Sequence, residues 1–205
     1  MKRILAVAVV VILAVPLLAF GQTTQCSSDY CGPSDPPHSP DSRGYSDFIT
    51  LAYQGAYGRP ANCFELRSEY SKLVNAAAGG TLNAEAQRFV ATLFMTQTSY
   101  NDSNLDDYVQ TSAYDAIRPM SPNDRTVLTA FVGDLYRAFL QREPDAGGQC
   151  FWTNDACGNA TAAASRKHPI RAFQASSEFA ALVDGLYDDG LPDACIICPR
   201  GEICQ

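Results

Sequence analysis

The first half of the chain repeats hydrophobic residues at helical spacing in four successive stretches. Residues three and four positions apart share one face of a helix, so each stretch predicts an amphipathic helix. Gly58 suits the left-handed position that ends the first helix, and Pro119 ends the fourth. Asn62, Asn83 and Ser103 are suited to cap the second, third and fourth helices. The hydrophobic positions are Phe48, Ala52, Tyr53, Ala56, Phe64, Leu66, Tyr70, Leu73, Val74, Ala77, Ala86, Phe89, Val90, Leu93, Phe94, Leu105, Tyr108, Val109 and Ile117.

The second half opens with a strong signal for the start of a helix. Ser121 is suited to the N-cap, Pro122 to the first helical position, and Asp124 to the acidic first turn. Pro144 disfavours helical backbone at the residue before it, so the helix is expected to end near Arg142. Its apolar stripe consists of Val127, Leu128, Phe131, Val132, Leu135, Phe139 and Leu140.

The remaining pattern predicts several shorter helices. Asp145 and Asn159 are suited to cap two of them, and Pro169 is expected to divide the second from a further helix. Ser176 or Ser177 begins the last helix, which carries Phe179, Leu182, Val183, Leu186 and Tyr187. No stretch alternates with period two for long, so no strand is predicted. We therefore expect an all-α fold of seven to nine short helices.

Aromatic positions recur between the two halves at nearly constant offsets. Phe48, Tyr53 and Arg59 lie 83 residues before Phe131, Tyr136 and Arg142. The offset becomes 87 for Cys63 and Phe64 against Cys150 and Phe151, and 79 for Phe94 and Tyr100 against Phe173 and Phe179. This pattern predicts two related helical halves, 44–119 and 120–192, packed as one body. Chance similarity between amphipathic segments is the alternative.

The N-terminal region has the pattern of a targeting segment. Lys2 and Arg3 precede the apolar run 4–18, and Ala19 and Gly21 are the small residues of a cleavage site before Gln22. Residues 1–21 are therefore interpreted as a signal peptide, and an uncleaved helical anchor is the alternative. Residues 22–43 are rich in Ser, Pro and Asp, which predicts a disordered tether. The mature chain is expected to be secreted, extracellular or periplasmic, without stable membrane insertion.

All eight cysteines lie in the predicted mature chain, which favours disulfides in an oxidising compartment. The shortest loops would join Cys26 to Cys31 and Cys150 to Cys157. Cys63 is the natural candidate to reach the tail, 193–205. A zinc site in that tail is the alternative, but it lacks a fourth ligand at a recognised spacing. The tail cysteines are Cys195, Cys198 and Cys204.

The acidic balance of the chain restricts its partners. Loss of Lys2 and Arg3 with the signal peptide changes the formal net charge from −7 to −9. Such a charge disfavours binding to nucleic acid or to an anionic membrane.

The run LYRAFLQREPDAGGQCFW, followed by RAFQASSEFAALV, resembles a bacterial exported helical family, domain of unknown function 4214. The resemblance covers about 126–186 and is weak over 48–100. This chain has Gln141 where the family usually has glycine, and its first half lacks the Pro-Asp-x-x-Gly turn and the tryptophan. The matching positions are Leu135, Tyr136, Arg142, Pro144, Asp145, Gly148, Phe151, Trp152, Phe173, Ser176 or Ser177, Glu178 and Phe179. The resemblance implies an accessory module of secreted or surface proteins and assigns no catalytic residue.

Motifs of the common hydrolases and phosphate-binding enzymes are absent from the sequence. Of the two histidines, His38 lies in the predicted tether, and His168 is interpreted as a residue at a helix end. A non-catalytic module is therefore predicted, with a small secreted enzyme as an alternative.

Calcium is the only small ligand that the sequence suggests, and no cofactor is predicted. The run from Asp102 to Asp106 imitates the start of an EF-hand loop but lacks its glycine and its final glutamate. The acidic turn from Asp188 to Asp193 is interpreted as a helix C-terminus. A calcium-responsive module is the second alternative function.

Arg59 and Arg142 follow the aromatic stripe at the same register and need carboxylate partners there. Glu178 or Asp145 is the expected partner of Arg142. The Pro-Asp-Ala-Gly-Gly turn and the tryptophan are confined to the second half, so binding is expected there first. The candidate binding residues are Arg142, Asp145, Gly148 and Trp152, for an unknown protein or cell-surface partner.

Overall fold

A computed structural model describes residue 26 and the ranges 31–32, 41–95, 113–119, 121, 123–158 and 162–196. The predicted signal peptide, most of the tether, the cap at Ser103, the acidic run 102–106, Cys198 and Cys204 lie outside these residues. The described elements are β1 (Arg43–Gly44), α1 (Tyr45–Tyr57), α2 (Cys63–Ala78), α3 (Leu82–Phe94), α4 (Ala113–Ile117), α5 (Arg125–Leu135) with a π-helical turn (Tyr136–Leu140), α6 (Ala146–Cys157), α7 (Ala162–Gln174), α8 (Ser177–Asp184), β2 (Leu186–Tyr187) and a 3-10 turn (Asp193–Cys195). The all-α prediction is confirmed.

Two strands of two residues each correct the prediction that the chain has none. β1 and β2 pair in parallel, with Arg43 opposite Leu186. Beside this pair, Asp189 accepts hydrogen bonds from the Ser46 backbone N–H, at 3.1 Å, and from the Ser46 hydroxyl. The Gly44 N-cap has no side chain that could accept a hydrogen bond, so Asp189 accepts one from a backbone N–H in the first turn of α1 instead. The acidic turn is thus a cap for α1, not the C-terminus of α8.

Helix caps from the sequence are partly confirmed. Asn62 forms a capping box with Glu65, and Ser176 accepts from Phe179 N–H, as predicted. Asn83 lies inside α3, and the cap of α5 is Asp124, whose carboxylate accepts from two backbone N–H groups. The prediction of Ser121 as that cap is wrong because the helix begins three residues later than expected.

Pro169 lies inside α7 and does not divide two helices, which corrects that prediction. Proline removes one backbone hydrogen bond and usually breaks or kinks a helix. Here Ile170 and Phe173, which follow it, are both buried in the core. Their burial favours continuing the helix past the proline.

One aromatic core joins residues of both predicted halves. The Phe94 ring stacks on Phe139 with centroids 6.2 Å apart, and Phe179 lies 6.5 Å from Phe48 and 5.3 Å from Phe139. Gln87 and Gln174 each donate a side-chain hydrogen bond to the other's backbone carbonyl. The two regions therefore share a single hydrophobic interior.

The disulfides run between distant parts of the chain. They join Cys26 to Cys157, Cys31 to Cys150 and Cys63 to Cys195. The local pairs Cys26–Cys31 and Cys150–Cys157 are therefore wrong, because Cys26 and Cys31 each bond a cysteine of α6 instead of one another. The expectation that Cys63 reaches a tail cysteine is confirmed.

Candidate functional site

The structure brings the four candidate binding residues together where α5 turns into α6. Asp145 caps α6, and its Oδ1 accepts from the Gly148 N–H at 2.7 Å. Gly148 faces the Tyr136 hydroxyl so closely that a Cβ atom would overlap it. The glycine of the Pro-Asp-Ala-Gly-Gly turn is thus required by close packing against the tyrosine.

Arg142 lies at the centre of this group. Its Nε and Nη2 donate to the Glu178 carboxylate at 2.5 and 3.0 Å, and Nη1 lies 3.7 Å from Asp145 Oδ2. The guanidinium carbon is 4.9 Å from the centre of the Tyr136 ring. Both predicted partners are present, and the bond to Glu178 raises the pKa of Arg142.

Aromatic rings form the wall behind the arginine. Tyr136 packs edge-on against Phe173 at 4.9 Å, and Trp152 lies 5.6 Å from Phe173. Burial first, and then the negative charge of Asp145, raises the pKa of Tyr136. We call Tyr136, Arg142, Asp145, Trp152 and Glu178 the arginine clasp.

Residues 123–183 match the family model of DUF4214, a domain of unknown function. The resemblance seen in the sequence is confirmed for this segment. No curated protein matches the chain. No solved structure matches it either.

The whole arginine clasp lies within the segment that matches DUF4214, and so do Phe151 and Phe173. Phe151 is the outermost of these aromatic residues, with 55% of its surface exposed. It packs edge-on against Trp152 at 4.9 Å, on a helix that two disulfides hold to the N-terminal segment. The DUF4214 segment thus presents one large aromatic side chain on a fixed surface.

Gln141 immediately precedes Arg142 and has left-handed backbone, with φ 52°. Side chains destabilise this conformation by about 1 kcal/mol, whereas glycine adopts it freely. The family's usual glycine at this position therefore has a physical reason. The corresponding residue of the first half, Gly58, also has positive φ, at 69°.

The first half contains a more exposed counterpart of the clasp. Arg59 pairs with Glu65 at 2.8 Å and lies 5.6 Å from the Tyr53 ring, as Arg142 lies over Tyr136. The N-caps Asn62 and Asp145 are also 83 residues apart, so the next helices begin in this register, which differs from the 87-residue alignment of Cys63 with Cys150. These contacts support the predicted repeat.

The structure also contains a buried ionic network around Asp134 that the sequence pattern did not predict. Asp134, 5% exposed, accepts from the Tyr114 hydroxyl at 2.7 Å, from Arg118 at 2.8 Å and from Arg137 at 2.6 Å. Burial, followed by the charge of Asp134, raises the pKa of Tyr114. Only the Asp134–Arg137 spacing of three residues is a local signal.

The other chemical candidates from the sequence have structural partners. Asp188 accepts from the Tyr70 hydroxyl, and Asp189 caps α1. His168 lies within α7, not at a helix end, and its Nδ1 is 2.7 Å from Asp155 Oδ2. Among the described residues, no group of three or more His, Cys, Asp or Glu is arranged to hold a metal ion.

In the ranges that the structure describes, no helix is long and apolar enough to cross a membrane.

Proposed function

We propose that the protein is an exported, non-catalytic interaction module that binds a protein partner through the aromatic surface around Phe151. The observation that carries this proposal is the exposure of Phe151 beside a clasp whose charged groups are already paired with one another. Exposed aromatic residues are frequent anchors of protein interfaces. The long-range disulfides fit an oxidising compartment outside the cytosol.

The arginine clasp acts as the support of this surface in the proposal. Arg142 is bound to Glu178, to Asp145 and to the Tyr136 ring, so it has little capacity left for a ligand. Trp152 contacts Phe173 on one side and Phe151 on the other. A rigid support lowers the entropy lost when an aromatic side chain is immobilised by a partner.

The test compares three forms of the disulfide-bonded protein as bait on an extract of the native cell surface. We expect the unchanged chain to retain a partner and Phe151→Ser to retain at least tenfold less, since an aromatic anchor contributes about 2 kcal/mol or more. The control is Phe64→Ser, which alters another exposed phenylalanine of the chain, in α2 and 79% exposed.

Melting curves of both variants should stay close to that of the unchanged chain, because each side chain is largely exposed. Equal recovery by all three baits, or recovery by none, would contradict the proposal.

A further inference from the structure

A shallow groove runs along a partly exposed face of α5. Its volume is about 410 Å³, within the range of small-molecule sites. The residues that line it are Arg125, Thr126, Thr129 and Ala130. Threonine methyl groups and the alanine side chain give the groove a largely apolar floor.

Two residues of this lining bond α6 on either side of Cys150. The Thr129 carbonyl accepts from Gln149 Nε2 at 3.4 Å, and Arg125 Nη1 donates to Asn154 Oδ1 at 2.6 Å. Cys150 itself is partly exposed. The disulfide that it forms therefore lies at the edge of the groove.

Asn154 turns its N–H groups toward this disulfide. A guanidinium only donates, so the atom that faces Arg125 must be Oδ1, and Nδ2 is the atom beside the sulfurs. Nδ2 lies 3.1 Å from Cys31 Sγ and 3.8 Å from Cys150 Sγ. A donor stabilises a sulfur most when that sulfur carries the negative charge of a thiolate. The arrangement therefore favours opening of the disulfide with the charge on Cys31.

The Cys63–Cys195 disulfide has the opposite surroundings. The Ala194 carbonyl oxygen lies 3.5 Å from Cys63 Sγ, and Cys195 is only 8% exposed. A carbonyl oxygen carries partial negative charge, so it disfavours a thiolate beside it. This bridge is therefore expected to resist attack by thiols.

Opening of Cys31–Cys150 would leave the N-terminal segment in place. The Cys26–Cys157 bridge holds the same segment to the same helix. Cys31 would therefore stay close to Cys150, and the bond could form again. Such a disulfide can be opened and closed without separating the two parts of the chain.

We propose that Cys31–Cys150 is an exchange site for small thiols that approach through the groove on α5. The thiolate of the incoming molecule attacks Cys150 Sγ and forms a mixed disulfide with it. The bond between the two cysteines breaks, and its electron pair leaves on Cys31 Sγ beside Asn154 Nδ2. This exchange is separate from the interaction surface around Phe151.

The fate of the mixed disulfide depends on the thiol. A monothiol is released again when the Cys31 thiolate attacks Cys150 Sγ and the original bond forms. A dithiol attacks the mixed disulfide with its own second sulfur and leaves as a cyclic disulfide. The dithiol is then oxidised, Cys31 and Cys150 are reduced, and the two protons of the dithiol pass through water to the two cysteines.

The test is a timed reduction of the full disulfide-bonded chain by dithiothreitol without denaturant. N-ethylmaleimide stops each sample, and mass spectrometry of its peptides shows which cysteines have opened. We expect Cys31 and Cys150 to be labelled together, about tenfold faster than Cys63 and Cys195, because a stabilised leaving thiolate speeds exchange.

Asn154→Asp tests the role of the amide. The variant keeps the shape of the side chain and a partner for Arg125, but it places an oxygen beside the sulfurs instead of an N–H donor. Opening of Cys31–Cys150 should slow about tenfold. The matched control is Asn75→Asp, the same change at an exposed position of α2, and it should open as the unchanged chain does.

Reduced glutathione identifies the sulfur that is attacked. After a short exposure and an acid quench, we expect glutathione on Cys150 and a free thiol on Cys31. Ala130→Phe, which fills the groove, should lose most of this adduct.

Three results would overturn the proposal. One is opening of Cys63–Cys195 or Cys26–Cys157 as fast as Cys31–Cys150. Another is an Asn154→Asp variant that opens at the rate of the unchanged chain. The third is a glutathione adduct that is absent from Cys150, or that forms equally well in Ala130→Phe.

Discussion

At the scale of single residues, Arg142 and Arg59 form similar contacts, with the distant Glu178 and the nearby Glu65, at different depths. Both lie over a tyrosine ring and pair with a glutamate, but their side chains are 15% and 48% exposed. Water screens the exposed Arg59–Glu65 pair. The more buried Arg142–Glu178 pair has less contact with water, so each of its charges relies on the other for stabilisation. The two arginine–glutamate pairs are therefore expected to stabilise the fold to different extents.

We expect Arg142→Ala to lower the free energy of unfolding by about 3 kcal/mol, because Glu178 would keep a partly buried charge without its partner. Arg59→Ala, the matched control, should cost less than about 1 kcal/mol. Urea denaturation measures both. Equal losses of unfolding free energy in the two variants would show that burial does not determine how much these ion pairs contribute to stability.

Acid sensitivity is a second consequence at this scale. The hydrogen bond from Arg59 lowers the pKa of Glu65, and that from the Tyr70 hydroxyl lowers the pKa of Asp188. A carboxyl group with a lowered folded-state pKa stabilises the fold above its unfolded-state pKa. This stabilisation is lost as the pH falls through the folded-state value, here below about pH 4.5.

We therefore expect Glu65→Gln and Tyr70→Phe each to flatten the decline in unfolding free energy between about pH 5 and pH 2. Glu65→Gln removes a titrating carboxylate, and Tyr70→Phe removes the donor to Asp188. Urea denaturation at each pH gives the slope. Curves parallel to that of the unchanged chain would contradict the two assignments.

At the scale of elements, α1 packs closely against the π-helical turn. Gly55 lies against the backbone of Arg137 and Ala138, where a Cβ atom would overlap main-chain atoms. Gly55 and Ala138 are 83 residues apart, so the predicted repeat places its own corresponding positions in contact. A two-fold arrangement of the halves has this property, because corresponding residues meet at the axis.

Gly55→Ala should destabilise the fold by about 2 to 3 kcal/mol, since backbone atoms cannot move aside as a flexible side chain can. The control is Gly79→Ala, at a helical φ of −89°, whose Cβ would lie 3.4 Å from the nearest atom. It should change stability by less than about 1 kcal/mol. Thermal melting measures the stability of both variants. An unchanged melting temperature for Gly55→Ala would mean that α1 and the π-helical turn move apart easily.

Much of the helical architecture could be predicted from hydrophobic spacing, because burial and periodicity are local properties. The capping box at Asn62 and the end of α1 at Gly58 are examples. The π-helical turn could not be predicted, since it depends on how α5 meets α1. Pro169 misled the prediction because core contacts on its C-terminal side outweigh its local preference.

The candidate site was predictable in part for the same reason. Arg142, Asp145 and Gly148 lie within seven residues of one another, and their turn chemistry is visible in the sequence. The pairing with Glu178 was one of two choices that the sequence left open. The buried Asp134 network joins α4 to the end of α5, so the sequence showed only the local spacing of Asp134 and Arg137.

At the scale of the whole molecule, the three disulfides among the described residues span 131, 119 and 132 residues. Long closed loops restrict the unfolded chain most, which is the usual account of how such bonds stabilise a fold. Two of the bridges hold the N-terminal segment against α6. The third joins α2 to the C-terminal 3-10 turn.

A peptide map without reduction should recover Cys26–Cys157, Cys31–Cys150 and Cys63–Cys195. The double change Cys63→Ala with Cys195→Ala should lower the free energy of unfolding by about 2 to 5 kcal/mol. Denaturant titration measures the loss, with the map of the variant as a control for the other two bridges. Recovery of the local pair Cys26–Cys31 would contradict the connectivity.

The contacts of α1 and α2 with residues 186–195 also impose an order on folding during synthesis. Leu186 pairs with β1, Asp189 caps α1 and Cys195 bonds Cys63. A ribosome makes the first half well before these three residues. The cap of α1 and the disulfide of α2 therefore form only after almost all of the described chain has been made.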